Sequence, residues 1–335
     1  MSDPYPLLTR SAMRLLAALV LLSLLGGPAA AWEKLKDFPK IGRDPVSLGD
    51  AWVHRPAAAG PDRPLVVVLH GCLQTPQDYQ RYSGWVETAE RHGFALLMPS
   101  YQGLGKCFPW SDDAQAEQMA QALERAMVAA RAQMGMTAGT GKTFVAGLSA
   151  GAAMAAVLAA HSPDIEGAAI FAGLAVGAAQ VNHSSFSMNP AAIMLCPYPI
   201  GSTLLKACRV MNWGVDASTE ELADAARAMA PGRTVWPRVL IWQGDADITV
   251  VPANSEALLR QWTALHGLTA VSGQEVYAQG NRVVVERRIL PGFPHAWAVD
   301  DAYAGGCGKS GGNTYIKNDG LCAAEATVQF WGLAD

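Results

Sequence analysis

The chain has 335 residues, half of them hydrophobic, with 16% charged and a formal net charge of -4. That length accommodates one large α/β domain or two smaller ones. No lysine or arginine run marks a nucleic-acid partner, and the six cysteines include no Cys-x-x-Cys, so neither a nucleic acid, a metal nor a cofactor is expected.

Residues 1–31 have the pattern of a secretory signal peptide. Arg10 and Arg14 precede the apolar run Leu15 to Leu25, Gly26-Gly27-Pro28 breaks it, and Ala29-Ala30-Ala31 offers a cleavage site. The run is too short to span a bilayer, so no membrane anchor is expected after cleavage. The predicted location is extracellular or periplasmic. The mature chain would start near Trp32; losing Arg10, Arg14 and Asp3 removes one net positive charge and takes -4 to -5. All six cysteines follow the signal: Cys72, Cys107, Cys196, Cys208, Cys307 and Cys322. An even number in an exported chain reads as disulfides. They fall in three separate regions, which favours sequential pairs, each contributing roughly 3 kcal/mol in the chain-entropy model.

Residues 32–335 read as a single catalytic domain. Pro39, Pro45 and Pro56 mark residues 32–60 as leading strands and loops. Leu65 to Leu69 is a continuous apolar run, the pattern of a strand buried on both faces, and it ends at His70-Gly71-Cys72. A helix is predicted from about Gln77 to Arg91, closed by Gly93, then a strand from Phe94 to Met98 stopped by Pro99. Met119, Leu123, Met127 and Ala130 give helical spacing to 113–134. Another strand is predicted over 166–173. Residues 174–235 change character, with one polar helix near 219–229, and read as a cap or lid insertion. The strand–helix alternation resumes with a strand at 238–243, a helix at 254–266, a strand at 281–290 and a last helix at 322–331. Such alternation predicts a mostly parallel sheet with helices on both faces.

The chemistry is concentrated after the strand beginning at Thr143. Gly147-Leu148-Ser149-Ala150-Gly151 joins that strand to a helix of small residues. A nucleophile elbow requires this context: the serine occupies a strained turn, and the helix N-terminus favours developing negative charge. A serine nucleophile needs a base and an orienting acid, and in an α/β-hydrolase they follow in the order Ser, Asp or Glu, His. His295, after the strand at 281–290, is the candidate base. Asp245 and Asp247 compete for the acid, with Asp247 preferred because it lies further past its strand. The oxyanion donors would be the amide of Ala150 and one from Gly71-Cys72-Leu73. Two decoys fail. Gly139-Thr140-Gly141-Lys142-Thr143 precedes a strand where a phosphate loop follows one, and Asp245-x-Asp247-x-Thr249 has Val250 where a calcium loop needs glycine.

With these residues in place, the chain resembles the extracellular poly(3-hydroxybutyrate) depolymerase family of esterases. The shared pieces are His70-Gly71-Cys72-Leu73-Gln74, Tyr82-Ser83-Gly84-Trp85, Cys107-Phe108-Pro109-Trp110-Ser111, the Ser149 motif, Gly244 to Val250, Pro294-His295, and Asn318 to Leu333. The resemblance implies an α/β-hydrolase fold and a Ser149–Asp247–His295 triad. It implies Cys72 as second oxyanion donor and a Cys72–Cys107 bridge. Trp110 is implied beside the substrate, with Leu73 as a further expected contact; read from the residues alone, Trp110 is as readily core. The expected substrate is a short-chain hydroxyalkanoate polyester or oligoester. No attached polymer-binding module is expected, the sequence stopping at Asp335, and Ala296-Trp297 after the histidine is closer to feruloyl and short-chain esterases. Two alternatives stand beside this: a feruloyl or acetyl esterase, and a silent secreted binding protein on the same fold.

Overall fold

The computed structural model describes residues 31–36, 48–57, 60–137, 139, 141–183 and 202–334. The expected signal peptide apart from Ala31, and Cys196, lie outside them. Nine strands form one sheet: β1 (Ala31–Lys34), β2 (Leu48–Arg55), β3 (Leu65–Leu69), β4 (Ala95–Tyr101), β5 (Thr143–Leu148), β6 (Ile165–Phe171), β7 (Arg238–Gly244), β8 (Val276–Gln279) and β9 (Arg282–Leu290). Their spatial order is β1-β2-β4-β3-β5-β6-β7-β9-β8. The run β4-β3-β5-β6-β7-β9 is parallel throughout. Strands β1, β2 and β8 add antiparallel edges.

The helices among the described residues are α1 (Pro76–Tyr82), α2 (Trp85–His92), α3 (Asp113–Gln133), α4 (Ala150–His161), α5 (Ala178–Val181), α6 (Thr203–Trp213), α7 (Thr219–Ala228), α8 (Ala253–Leu265) and α9 (Ala323–Trp331). They cover both faces of the sheet. Alternate residues of β3 enter different cores: Leu65, Val67 and Leu69 join Met119, Leu158 and Trp262, while Val66 and Val68 join Trp85, Phe144 and Trp331. This two-sided burial is why β3 is apolar at every position. In α4 every residue from Ala150 to Ala160 is buried, so that helix is apolar all round. The fold is that of the α/β-hydrolases.

Four details depart from the sequence-based expectation. The helix predicted over 77–91 is two helices. Gly84 breaks it at φ 83°, where a Cβ would meet the Cys307 backbone at 2.7 Å. Strand β4 runs through Pro99 to Tyr101; Pro99 faces Ala51 beside an irregularity in the β2 register, where a missing N–H is tolerated. The strand at 281–290 has a hairpin partner, β8, joined through Gly280 at φ 58°. Finally, β10 (Trp297–Val299) and β11 (Ile316–Asn318) form a separate parallel pair. Of residues 174–235, α7 buries Leu222, Ala223 and Ala226 and belongs to the helix layer beside α8. His92, the last residue of α2, pairs with Glu325 of α9 at 2.8 Å.

Candidate active site

Adjacent parallel strands bring the expected residues to one edge of the sheet. The register aligns Leu148 of β5 with Phe171 of β6, Phe171 with Trp242 of β7, and Gly244 with Leu290 of β9. Ser149, Asp247 and His295 each follow the C-terminal end of one of these strands, where open α/β sheets place their ligands.

Ser149 joins β5 to α4 with φ 58° and ψ -124°, a region that a residue with a side chain rarely adopts. Its N–H donates to Phe171 O at 2.9 Å, which anchors the turn on the neighbouring strand. The flanking glycines are required by backbone proximity. A Cβ on Gly147 would lie 2.5 Å from Gly151 C, and one on Gly151 would lie 2.3 Å from Leu69 O and 2.4 Å from His70 O. None of these atoms can swing away. Gly151→Ala is therefore expected to destabilise the protein by about 3 kcal/mol, the upper range for an overpacked core. A urea-unfolding midpoint equal to wild type would refute it.

Asp247 is buried at 2% exposure. Its Oδ1 accepts the N–H groups of Thr249 (2.8 Å) and Val250 (2.9 Å). Its Oδ2 meets His295 Nδ1 at 2.6 Å and accepts from Gln243 Nε2 at 3.3 Å. Asp245, the competitor, is exposed and accepts from Gly292 N–H within a turn. The structure thus joins His295 to Asp247. Among the described residues no hydrogen bond links Ser149 Oγ to His295; such contacts commonly tighten only when substrate is bound. Gln243 was not singled out from the sequence, although an amide ending the apolar run Val239-Leu240-Ile241-Trp242 was a readable signal.

The loop after β3 lies beside Ser149: a Cβ on Gly71 would sit 3.5 Å from Ser149 Cβ. Ala150 N–H is the first of α4, where no intrahelical acceptor exists. His70 holds the loop from below. Its Nδ1 contacts Gly71 O at 2.8 Å, and its Nε2 accepts the Tyr101 N–H at 3.3 Å. The Tyr101 donor requires a bare Nε2, so the proton sits on Nδ1 and His70 is neutral. Burial pushes its pKa down to about 4, against an opposing contribution from Gly71. The unfolded chain binds a proton near pH 6.5 that the folded chain refuses. The associated stability is complete above about pH 6.5 and drains away as pH falls toward 4, by about 3 kcal/mol in all. Urea unfolding from pH 7.5 to 4.5 should show this loss in wild type and not in His70→Gln. Identical pH slopes in the two proteins would sink the prediction.

Cys72 is bonded to Cys107, and Cys307 to Cys322. Cys208 is also disulfide-bonded, but its expected partner Cys196 falls outside the described residues. A cavity of about 720 Å³ lies against the Cys72–Cys107 bridge. Trp110, Leu204, Met211 and Ile248 give it an apolar side, and Asp112, Gln115 and Asn212 a polar one. Trp110 is thus at once nearly buried, at 7% exposure, and a cavity wall. Leu73 does not line this cavity; it is 66% exposed, with φ 63°. Ser149 and His295 lie outside the lining, which includes Cys72, in the loop beside Ser149, and the Ile248-Thr249 segment that follows Asp247. No helix among the described residues is long and apolar enough to cross a membrane.

Residues 48–194 match the family model described as esterase PHB depolymerase. The chain is 30% identical to poly(3-hydroxyalkanoate) depolymerase C of Paucimonas lemoignei, across 95% of this chain and 74% of that protein. It is 28% identical to a probable acetylxylan esterase A of Aspergillus clavatus, across 70% and 71%. Among solved structures, an acetyl xylan esterase from Aspergillus awamori superposes with a TM-score of 0.62 at 22% identity, covering 79% of this chain and 94% of that one, a likeness of fold. The chain is a carboxylic ester hydrolase. It belongs to the poly(3-hydroxybutyrate) depolymerase family of esterases.

Proposed function

We propose that this is a secreted serine esterase that hydrolyses short-chain hydroxyalkanoate esters, as polymer or as oligomer. The observation that carries the mechanism is the 2.6 Å contact of His295 Nδ1 with buried Asp247, on the same sheet edge as the strained Ser149 turn. Ser149 Oγ attacks the ester carbonyl while its proton passes to His295 Nε2, and Asp247 stabilises the imidazolium. The amides of Ala150 and Cys72 bind the resulting oxyanion. The alcohol leaves with the proton from His295, and water, activated by the same histidine, releases the acid from the acyl-enzyme. Residues 32–335 act as one catalytic domain. Within the 174–235 insertion, α6 contributes Leu204, Ala207 and Met211 to the cavity as part of a cap. Trp110 and Leu73 are substrate contacts. The signal-like segment 1–31 and the disulfides support export.

The 30% identity to a polyhydroxyalkanoate depolymerase along nearly the whole chain favours the polyester substrate. A second reading, an acetyl or feruloyl ester on a polysaccharide, is favoured by the polar side of the cavity at Asp112, Gln115 and Asn212. Incubation with amorphous polyhydroxybutyrate, its soluble trimer and acetylated or feruloylated xylan should release 3-hydroxybutyrate or its dimer at least tenfold faster than acetate or ferulate. The reverse ranking would replace the first reading by the second.

A further inference from the structure

The steps above make no use of Gln74, although its side chain is buried at 1% exposure beside the site. It spans two loops 239 positions apart. Its Oε1 accepts the Gly71 N–H at 2.9 Å and the Tyr79 hydroxyl at 3.5 Å. Its Nε2 donates to Asn313 Oδ1 at 3.1 Å, which also accepts the Tyr315 N–H at 2.9 Å. Both amide orientations are dictated from the ends of this bridge. A main-chain N–H can meet only an acceptor, so Gly71 selects Oε1 of Gln74, and Tyr315 selects Oδ1 of Asn313.

The bridge bears on which amide is left for substrate. The Gly71 N–H is taken by Gln74, the Leu73 N–H by Gly105 O at 2.8 Å, and the Gln74 N–H by Gly71 O at 3.2 Å. Among the described residues, the Cys72 N–H alone in this loop has no such acceptor. At the far end, the Tyr315 ring stands edge-on to His295, with centroids 6.2 Å apart at 80°, and Tyr315 O accepts the Trp297 N–H at 2.8 Å. One buried amide therefore ties the loop presenting Cys72 to the segment packed on His295.

We infer that Gln74, through Asn313, is a positioning residue that fixes the Cys72 N–H relative to His295. The inference rests on the roles proposed above for Ser149, Cys72 and His295. Loss of the bridge leaves the Gly71 N–H unpaired and removes the restraint between this loop and the His295 segment, so the oxyanion donor shifts slightly while the disulfide and the Leu73 N–H bond to Gly105 O keep the loop against the pocket. A misplaced donor lowers kcat and spares KM.

The test uses full-length mature enzyme and p-nitrophenyl butyrate. Gln74→Met, similar in shape without the hydrogen bonds, should lose roughly 10- to 100-fold in kcat at unchanged KM, somewhat less than outright loss of an oxyanion donor. An alkyl trifluoromethyl ketone adds Ser149 Oγ to its carbonyl carbon, passes the Oγ proton to His295 and leaves its oxygen as the bound anion. Its Ki should weaken by the same factor, and that of the matching methyl ketone should not move. Asn313→Asp, which keeps the acceptor, should retain most activity. Asn313→Leu should match Gln74→Met, and the double variant should be no worse than either. Wild-type kcat in Gln74→Met, a change confined to KM, or equal weakening of both ketones overturns the inference. Should Gln74→Met not fold, Asn313→Leu, at the partly exposed end of the bridge, gives the same readings. An unaffected Gln74→Met beside an inactive Ser149→Ala would defeat this inference alone; an active Ser149→Ala would defeat the reading beneath it.

Discussion

Ser149→Ala is expected to lower kcat on p-nitrophenyl butyrate by roughly 10⁴- to 10⁶-fold, the cost of deleting a nucleophile that acts as one unit with its base. Labelling by a fluorophosphonate probe should vanish with it. The fold should not change. Ser149 is 6% exposed and its Oγ takes part in no hydrogen bond among the described residues, so alanine leaves no buried partner unsatisfied. The backbone supplies a second, independent reading. At φ 58° and ψ -124° any side chain carries strain of order 1–3 kcal/mol, which glycine relieves. Ser149→Gly should be equally inactive yet unfold at a higher urea concentration than Ser149→Ala. Retained hydrolysis in either variant would mean that Ser149 is not the nucleophile. A glycine variant less stable than the alanine one would mean that the turn is not strained.

The reasons this site could be anticipated are local. Strands β3, β5 and β7 are buried on both faces, so their apolar runs announce them without any partner being known. The small residues around Ser149 are demanded by atoms within a few positions or on the adjacent strand, which makes Gly147 and Gly151 legible in the chain itself. Loop position alone separated Asp247 from Asp245, and the contacts give the cause: the Thr249 and Val250 amides turn Asp247 inward, whereas Gly292 holds Asp245 in an exposed turn. What escaped depends on distant chain. The break at Gly84 is set by Cys307, and the Gln74 bridge by Asn313. Strands β10 and β11 are short parallel partners, whose pairing no periodicity encodes. Gln74 lies within a motif used to recognise the family, but only its Asn313 contact shows what the side chain holds.

Asp247→Asn is expected to cost about 10⁴ in kcat, although it changes one atom in a fully packed site. The contacts decide how the asparagine must sit. The Thr249 and Val250 N–H groups both point at the Oδ1 position, so an amide oxygen has to occupy it. The new NH₂ is then forced into the Oδ2 position, facing Gln243 Nε2, itself a donor, and His295 Nδ1. Two donors cannot share the Gln243 contact, which adds a stability penalty of about 1–3 kcal/mol. Toward His295 the ring can answer only by leaving Nδ1 bare and carrying its proton on Nε2. That tautomer turns a proton toward Ser149 where the reaction needs a lone pair. Asp245→Asn is the control: it keeps the oxygen that Gly292 requires and should stay within about threefold of wild type, since an exposed turn contact contributes little. The two variants are compared by kcat/KM and by the rate of fluorophosphonate labelling. If Asp247→Asn kept more than a tenth of wild-type activity while Asp245→Asn lost it, the assignment of the acid would be reversed.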